Sequence, residues 1–234
     1  MVRLDEGAVT RVRREFKLLL NPEEAVRLEA ALSRYGAPDD SRVTSVYYDR
    51  PGRPLSLKAQ SQPEDCLKVR TKEYVPDVWG PVPRVVLEAK RERRGLVQKD
   101  RLWLPRGDLA RLHRQGELFR ELELVEANDL EPVLAVTYAR SVYQQDASWR
   151  VTVDRDVAFH PVDKALALGA QQLTFDRLAE PIWREPSVVV EVKHLADGLP
   201  GWLEGLKAHA ATRYSKFAEG VSRWVMGTGV AREA

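Results

Sequence analysis

Apolar and polar side chains alternate in short runs along most of the chain, and a two-residue period belongs to half-buried β-strands. Leu67 to Tyr74 sets Lys68, Arg70 and Lys72 against Leu67, Val69 and Thr71. Arg84 to Lys90 opposes Glu88 and Lys90 to Val85, Leu87 and Ala89. The same alternation predicts strands over 12–20, 43–49, 97–104, 133–143, 149–157 and 188–193. Asn21-Pro22-Glu23-Glu24 reads as a helix start, with an N-cap, proline in the first turn and acids at the positive dipole end. Gly36 suits its stop. Residues 108–128 have helical character, with Leu109, Leu112, Leu118 and Leu122 as core positions. Two further helices are expected over 200–210 and 215–226. Residues 51–63 read as a loop or short hairpin, 91–95 as a charged turn, and 163–184 as irregular chain with a strand at 173–176.

Three of the strand-like runs carry a glutamate two residues before a lysine: Glu15-Phe16-Lys17, Glu88-Ala89-Lys90 and Glu191-Val192-Lys193. The step puts both charges on one face. Two readings follow. In one, an antiparallel sheet simply turns a polar face to water; in the other, the strands curl into a barrel and the charged face becomes an interior. The proposed face is rich in cations: Arg13, Lys17, Lys68, Arg70, Lys72, Lys90, Lys99, Arg101, Arg140, Arg150 and Lys193. Its acids are Glu15, Glu88, Asp154 and Glu191. Like charges opposite each other across strands are unfavourable, so an enclosed face of this kind demands a polyanion.

Composition narrows the choice. The chain has 234 residues, 44% hydrophobic and 31% charged, with a net charge of only +2. That balance argues against a general nucleic-acid binder and against disorder. Cys66 is the only cysteine, which excludes an intrachain disulfide framework and a multi-cysteine zinc site. The four histidines lack metal-ligand spacing. Neither a signal peptide nor a membrane span is evident. One cytoplasmic domain over 1–234 is the expectation.

Phosphate chains suit such an interior. Arginine forks bind two oxygens at once and lysine supplies a compact charge. Glutamates cannot hold phosphate directly, but they can hold a divalent metal that does. Phosphoryl transfer needs positioning and charge stabilisation more than a protein nucleophile. The sequence offers no Ser-His-Asp or Cys-His constellation.

Read together, the segments resemble the VTC domain, the polyphosphate polymerase domain of the vacuolar transporter chaperone family, within the CYTH-like triphosphate tunnel group. The matching motifs are Arg13-Arg14-Glu15-Phe16-Lys17, Ser45-Val46-Tyr47-Tyr48-Asp49, Leu67-Lys68-Val69-Arg70 and Leu87-Glu88-Ala89-Lys90. They continue as Thr137-Tyr138-Ala139-Arg140, Arg150-Val151-Thr152-Val153-Asp154, Val190-Glu191-Val192-Lys193 and Arg213-Tyr214-Ser215-Lys216-Phe217. The resemblance implies an α+β fold: a closed antiparallel tunnel of about eight strands with flanking and C-terminal helices. It implies that ATP supplies phosphoryl groups to inorganic polyphosphate with Mn2+ or Mg2+. Lys17, Arg70, Lys90, Arg140 and Lys216 then serve catalysis. Arg13, Lys68, Lys99, Tyr138, Lys193, Arg213 and Ser215 join them in holding phosphate or nucleotide, and Glu191, with Glu15 or Glu88, holds the metal. The first strand departs from the wider group's Glu-x-Glu-x-Lys, because Arg13 replaces one acid. The regulatory SPX domain and membrane helices of some relatives are not expected in this chain, so a regulatory or membrane partner would lie on another. A tunnel-type triphosphatase and a non-catalytic polyphosphate-binding module are the alternatives.

Overall fold

In the computed structural model, which describes residues 14–75, 83–94, 96–122, 129–144, 148–195, 199–211 and 214–227, the alternating runs form nine strands in one antiparallel sheet. They are β1 (Arg14–Leu20), β2 (Asp39–Asp49), β3 (Asp65–Val75), β4 (Arg84–Arg93) and β5 (Leu96–Pro105), followed by β6 (Glu131–Tyr143), β7 (Trp149–His160), β8 (Trp183–Arg184) and β9 (Val188–His194). Among the described residues six helices accompany them: α1 (Pro22–Leu32), α2 (Pro54–Ser61), α3 (Leu109–Arg114), α4 (Lys164–Leu168), α5 (Gly201–Glu204) and α6 (Lys216–Gly227). The strands run in the order β1-β9-β7-β6-β2-β3-β4-β5, with β8 pairing on β7. The α+β class and the antiparallel architecture are as the sequence implies.

Closure is not. Among the described residues β1 and β5 end the path and do not pair with each other, so the sheet curls without sealing. The curl is nonetheless tight. Lys17 on β1 lies within electrostatic reach of Lys90 on β4, although β9, β7, β6, β2 and β3 separate those strands along the sheet. Lys90 and Lys99 at one margin and Lys193 at the other repel, which opposes drawing the two edges into hydrogen-bonding distance.

Alternation sorts the apolar residues to two sides. On the convex side, Val46, Tyr48, Val69, Val85, Leu87 and Ala89 pack beneath α3, α4 and the chain around Leu118 and Leu122. Leu18, Val151, Val153, Val190 and Val192 pack beneath α1 and α5. A third cluster lies on the concave side, where Tyr47, Leu134, Val136, Tyr138 and Phe159 meet Phe217 and Val221 of α6. Tyr47 stacks on Phe217 with ring centroids 4.9 Å apart. Thus α6 floors the concavity, and apolar residues replace charges there.

Local differences have local causes. The expected loop at 51–63 contains α2, because the buried Asp49 carboxylate accepts from the backbone N–H groups of Leu55 (3.0 Å) and Ser56 (2.9 Å). That cap comes from a preceding strand, outside the local helix signal. The helical stretch at 108–128 shortens to α3 and a 3-10 turn at Arg120–Leu122, with Gly116 at φ 67 ending the first; 123–128 lie outside the described residues. Its four leucines are buried as expected. No strand forms at 173–176: Leu173 N–H donates to Glu73 on β3 instead of a ladder, and a 3-10 turn follows at Phe175–Arg177. Arg106 pairs with Glu73 at 3.2 Å and donates to the carbonyls of Leu166 and Ala167, fixing this excursion to the convex wall. The charged turn at 91–95 is mostly strand, because β4 continues to Arg93.

The approach of α6 is set by Gly220. A Cβ there would meet Leu134 Cδ2 and Phe159 Cδ1, each at 2.4 Å. Both neighbours are fully buried, so neither can move aside freely. Gly220→Ala is expected to destabilise the protein by about 1–3 kcal/mol, the usual magnitude for overpacking. Denaturant unfolding checks this, and unchanged stability would remove Gly220 as the determinant of α6 docking.

Candidate active site on the concave face

Strand register decides which charges meet. Glu15 lies opposite Lys193 and Lys17 opposite Glu191 across the β1–β9 pair. Lys68, Lys90 and Lys99 align across β3, β4 and β5, as do Arg70, Glu88 and Arg101. Arg140 lies opposite Asp154 across β6 and β7. The register shift in that pair falls between Thr137 and Ala139, and Asp156 takes φ 53 on the facing strand. The extra residue is on β7, so Val157 and Phe159 before it and Asp154 beyond it all face inward.

Each acid on this face is held by cations. Glu88, 1% exposed, accepts from Arg70 Nε at 2.9 Å and Arg101 Nε at 3.0 Å, with Lys72 at 3.5 Å. Burial would raise its pKa, but Arg70, Lys72 and Arg101 overcome this and hold the carboxyl far below the usual range. Asp154 accepts a bidentate pair from Arg140 at 2.6 and 2.8 Å, and a third bond from Lys216 at 2.7 Å. Arg140 and Lys216 also lie over the Tyr138 ring, 4.9 and 4.8 Å from its centroid. Glu191 and Glu15 share Lys193, and Lys17 lies 3.8 Å from Glu15. Despite burial, Lys193, Lys17 and Arg140 drive Glu191 well below the ordinary carboxylate range. Lys17 donates to the Tyr214 carbonyl at 3.1 Å, tying β1 to the chain entering α6.

The strand face therefore gathers Lys17, Lys68, Arg70, Lys90, Lys99, Tyr138, Arg140, Lys193, Glu15, Glu88 and Glu191, and α6 adds Lys216. Ser215 directly precedes α6. Arg13 and Arg213 lie outside the described residues. The structure adds Glu92, which the sequence pattern left in a turn. It binds Lys90 at 2.6 Å and Lys68 at 3.4 Å. It also brings Lys72 and Arg101 into the Glu88 cluster. Continuing the β4 alternation two residues beyond Lys90 would have found Glu92.

Among the described residues no three acidic, histidine or cysteine side chains form a ready-made metal cage. The pair Glu15 and Glu191 still suits a divalent ion. Two carboxylates converge on one cationic group, the Lys193 ammonium, and Mg2+-type sites commonly combine one or two carboxylates with substrate phosphate.

A curled antiparallel sheet with a cation-lined concave face and a helix across its floor defines a tunnel-type α+β protein. The family model for the VTC domain matches residues 9–225, so the chain belongs to the VTC domain family. No curated protein matches it. Among solved structures, HpAC1 of Hippeastrum, described as having a dominant triphosphatase activity, is similar with a TM-score of 0.57 at 17% identity, covering 90% of this chain and 96% of that one. PH1819 of Pyrococcus horikoshii OT3 is similar with a TM-score of 0.48 at 15% identity, covering 91% and 98%.

Lys99 differs from its neighbours. No acid among the described residues lies within ion-pair distance of it, and burial, then Lys193 and Lys90, push its pKa down to about 8. Between that value and the ordinary one near 10.4 the unfolded chain binds the extra proton, so this group makes stability rise with pH across the window. The concave face loses a charge over the same range. Carbon-13 NMR of labelled lysines is expected to show one resonance titrating near pH 8 that Lys99→Met removes. A Lys99 signal titrating near 10.4 would contradict this environment.

Proposed function

We propose that the protein is a metal-dependent polyphosphate polymerase that transfers the γ-phosphoryl group of ATP to a growing polyphosphate chain. The observation that carries this reading is the surplus of cations converging from β1, β3, β4, β5, β6, β9 and α6 on one concave face, within a VTC-family chain. A solvated sheet face gains nothing from such crowding. A bound triphosphate relieves it.

In this reading Lys17, Lys68, Arg70, Lys90, Arg140 and Lys216 hold phosphate oxygens and spread the charge that develops during transfer. Lys99 and Lys193 extend the anion path toward the sheet margins, Tyr138 supports Arg140 and Lys216, and Ser215, Arg13 and Arg213 complete the set that the family motifs assign. An oxygen of the terminal phosphate of the acceptor chain bonds to the γ-phosphorus of ATP. The bond from that phosphorus to the β–γ bridging oxygen breaks, and ADP leaves. The attacking oxygen is already anionic, so no protein base is needed. Glu191 with Glu15 would hold the Mn2+ or Mg2+. When bound, the ion adds positive charge beside the phosphates.

Purified protein with ATP and Mn2+ is expected to yield ADP and polymer separable from orthophosphate. Orthophosphate as the sole phosphate product would instead establish hydrolysis, and saturable binding without turnover would establish a binding module. Glu191→Gln is expected to lower turnover by about a hundredfold, in the range for loss of a metal-positioning group. Full Mn2+-dependent activity in that variant would remove Glu191 from the metal site.

A further inference from the structure

We propose that Glu88 is a positioning residue, a buried counter-anion that holds Arg70, Lys72 and Arg101 as one preassembled receptor for phosphate oxygens. The inference rests on reading the concave face as a phosphate site, and it adds Lys72 and Arg101 to that site.

The geometry is specific. Register sets Arg70, Glu88 and Arg101 side by side on β3, β4 and β5, with Lys72 two residues along β3. Arg70 meets one carboxylate oxygen through Nε and Nη2, while Arg101 Nε and the Lys72 ammonium reach the other. A carboxylate offers roughly four lone-pair sites, and these contacts fill them. A divalent ion could enter only by displacing an arginine or lysine. The cluster instead leaves positive charge unspent: three cations face one acid. Arg70 also donates to the Tyr47 hydroxyl at 3.0 Å, and Tyr47 stacks on Phe217, so the receptor is braced against α6.

Glu88 also governs a proton. Lys72 is buried beside Arg70, and both effects drive its pKa well below the ordinary lysine value, while Glu88 opposes them. Removing the carboxylate would lower it further, and an arriving polyanion would then draw a proton from solvent to Lys72. A metal-ligand role predicts no such exchange.

The test is calorimetric titration of the full chain with inorganic tripolyphosphate in two buffers of different ionisation enthalpy, and separately with Mn2+. Glu88→Gln is expected to leave Mn2+ affinity unchanged and to raise the proton uptake that accompanies tripolyphosphate binding. Glu88→Asp should reverse that rise. In turnover, Glu88→Gln should lower kcat while KM for ATP stays near the wild-type value, because the cations remain but their arrangement loosens. Loss of Mn2+ affinity, or unaltered proton uptake, would overturn the proposal. If Glu88→Gln does not fold, Lys72→Met and Arg101→Ala decide. Each should weaken tripolyphosphate binding about tenfold, the value of one charged contact, without affecting Mn2+, and undiminished binding overturns the proposal. Failure of the wild-type protein to bind tripolyphosphate overturns the phosphate-site reading itself, whereas wild-type binding that no variant alters overturns this inference alone.

Discussion

Repulsion among like charges on the inner wall of a curled sheet is the constraint around which this protein is organised. Strands with lysine or arginine at every second residue are ordinary while the sheet is flat and wet. Curling brings those rows toward each other and away from water, and both changes raise the cost of each charge. The depressed pKa values of Lys17, Lys72 and Lys99 record that cost.

The fold meets the constraint by distributing acids rather than by neutralising the face. Glu88, Asp154, Glu92 and the Glu15–Glu191 pair each gather a few cations into a local cluster. Buried pairs of this kind contribute little net stability, because desolvation offsets attraction. Their contribution is geometric: Arg140 is fixed by two bonds to Asp154, and Lys216 on α6 is fixed by the same carboxylate. Stability comes instead from apolar burial, of strand valines and leucines against α1, α3, α4 and α5 on the convex face and of the cluster under α6 on the concave floor. The sheet thus keeps its charged wall and most of its core on opposite faces, which a two-residue period permits.

The open seam between β1 and β5 belongs to the same balance. Sealing it would pair two edges and satisfy their backbone groups, yet it would press the marginal lysines together. The bulge in β6 and β7 and the helix α6 place charge where strand alternation alone could not. The bulge turns Asp154 inward on the same face as Val157 and Phe159, and α6 carries Lys216 to Asp154 from outside the sheet.

The amino-acid sequence by itself determined eight of the nine strands, their two-sided character, and the residue types on the charged face, because side-chain period and polarity are local properties. It also determined α1 through its cap at Asn21, which accepts from the Glu24 N–H while the Glu24 side chain returns the bond. Only the tertiary structure decided that the sheet stays open, that α2 exists because the Asp49 carboxylate accepts from its first N–H groups, and that residues 173–176 follow Glu73 instead of forming a strand. It alone decided which acid each cation serves, leaving Glu88 surrounded by three cations and Lys99 without an acidic partner among the described residues. Those outcomes depend on register and curl, which are set by contacts between segments far apart in the chain.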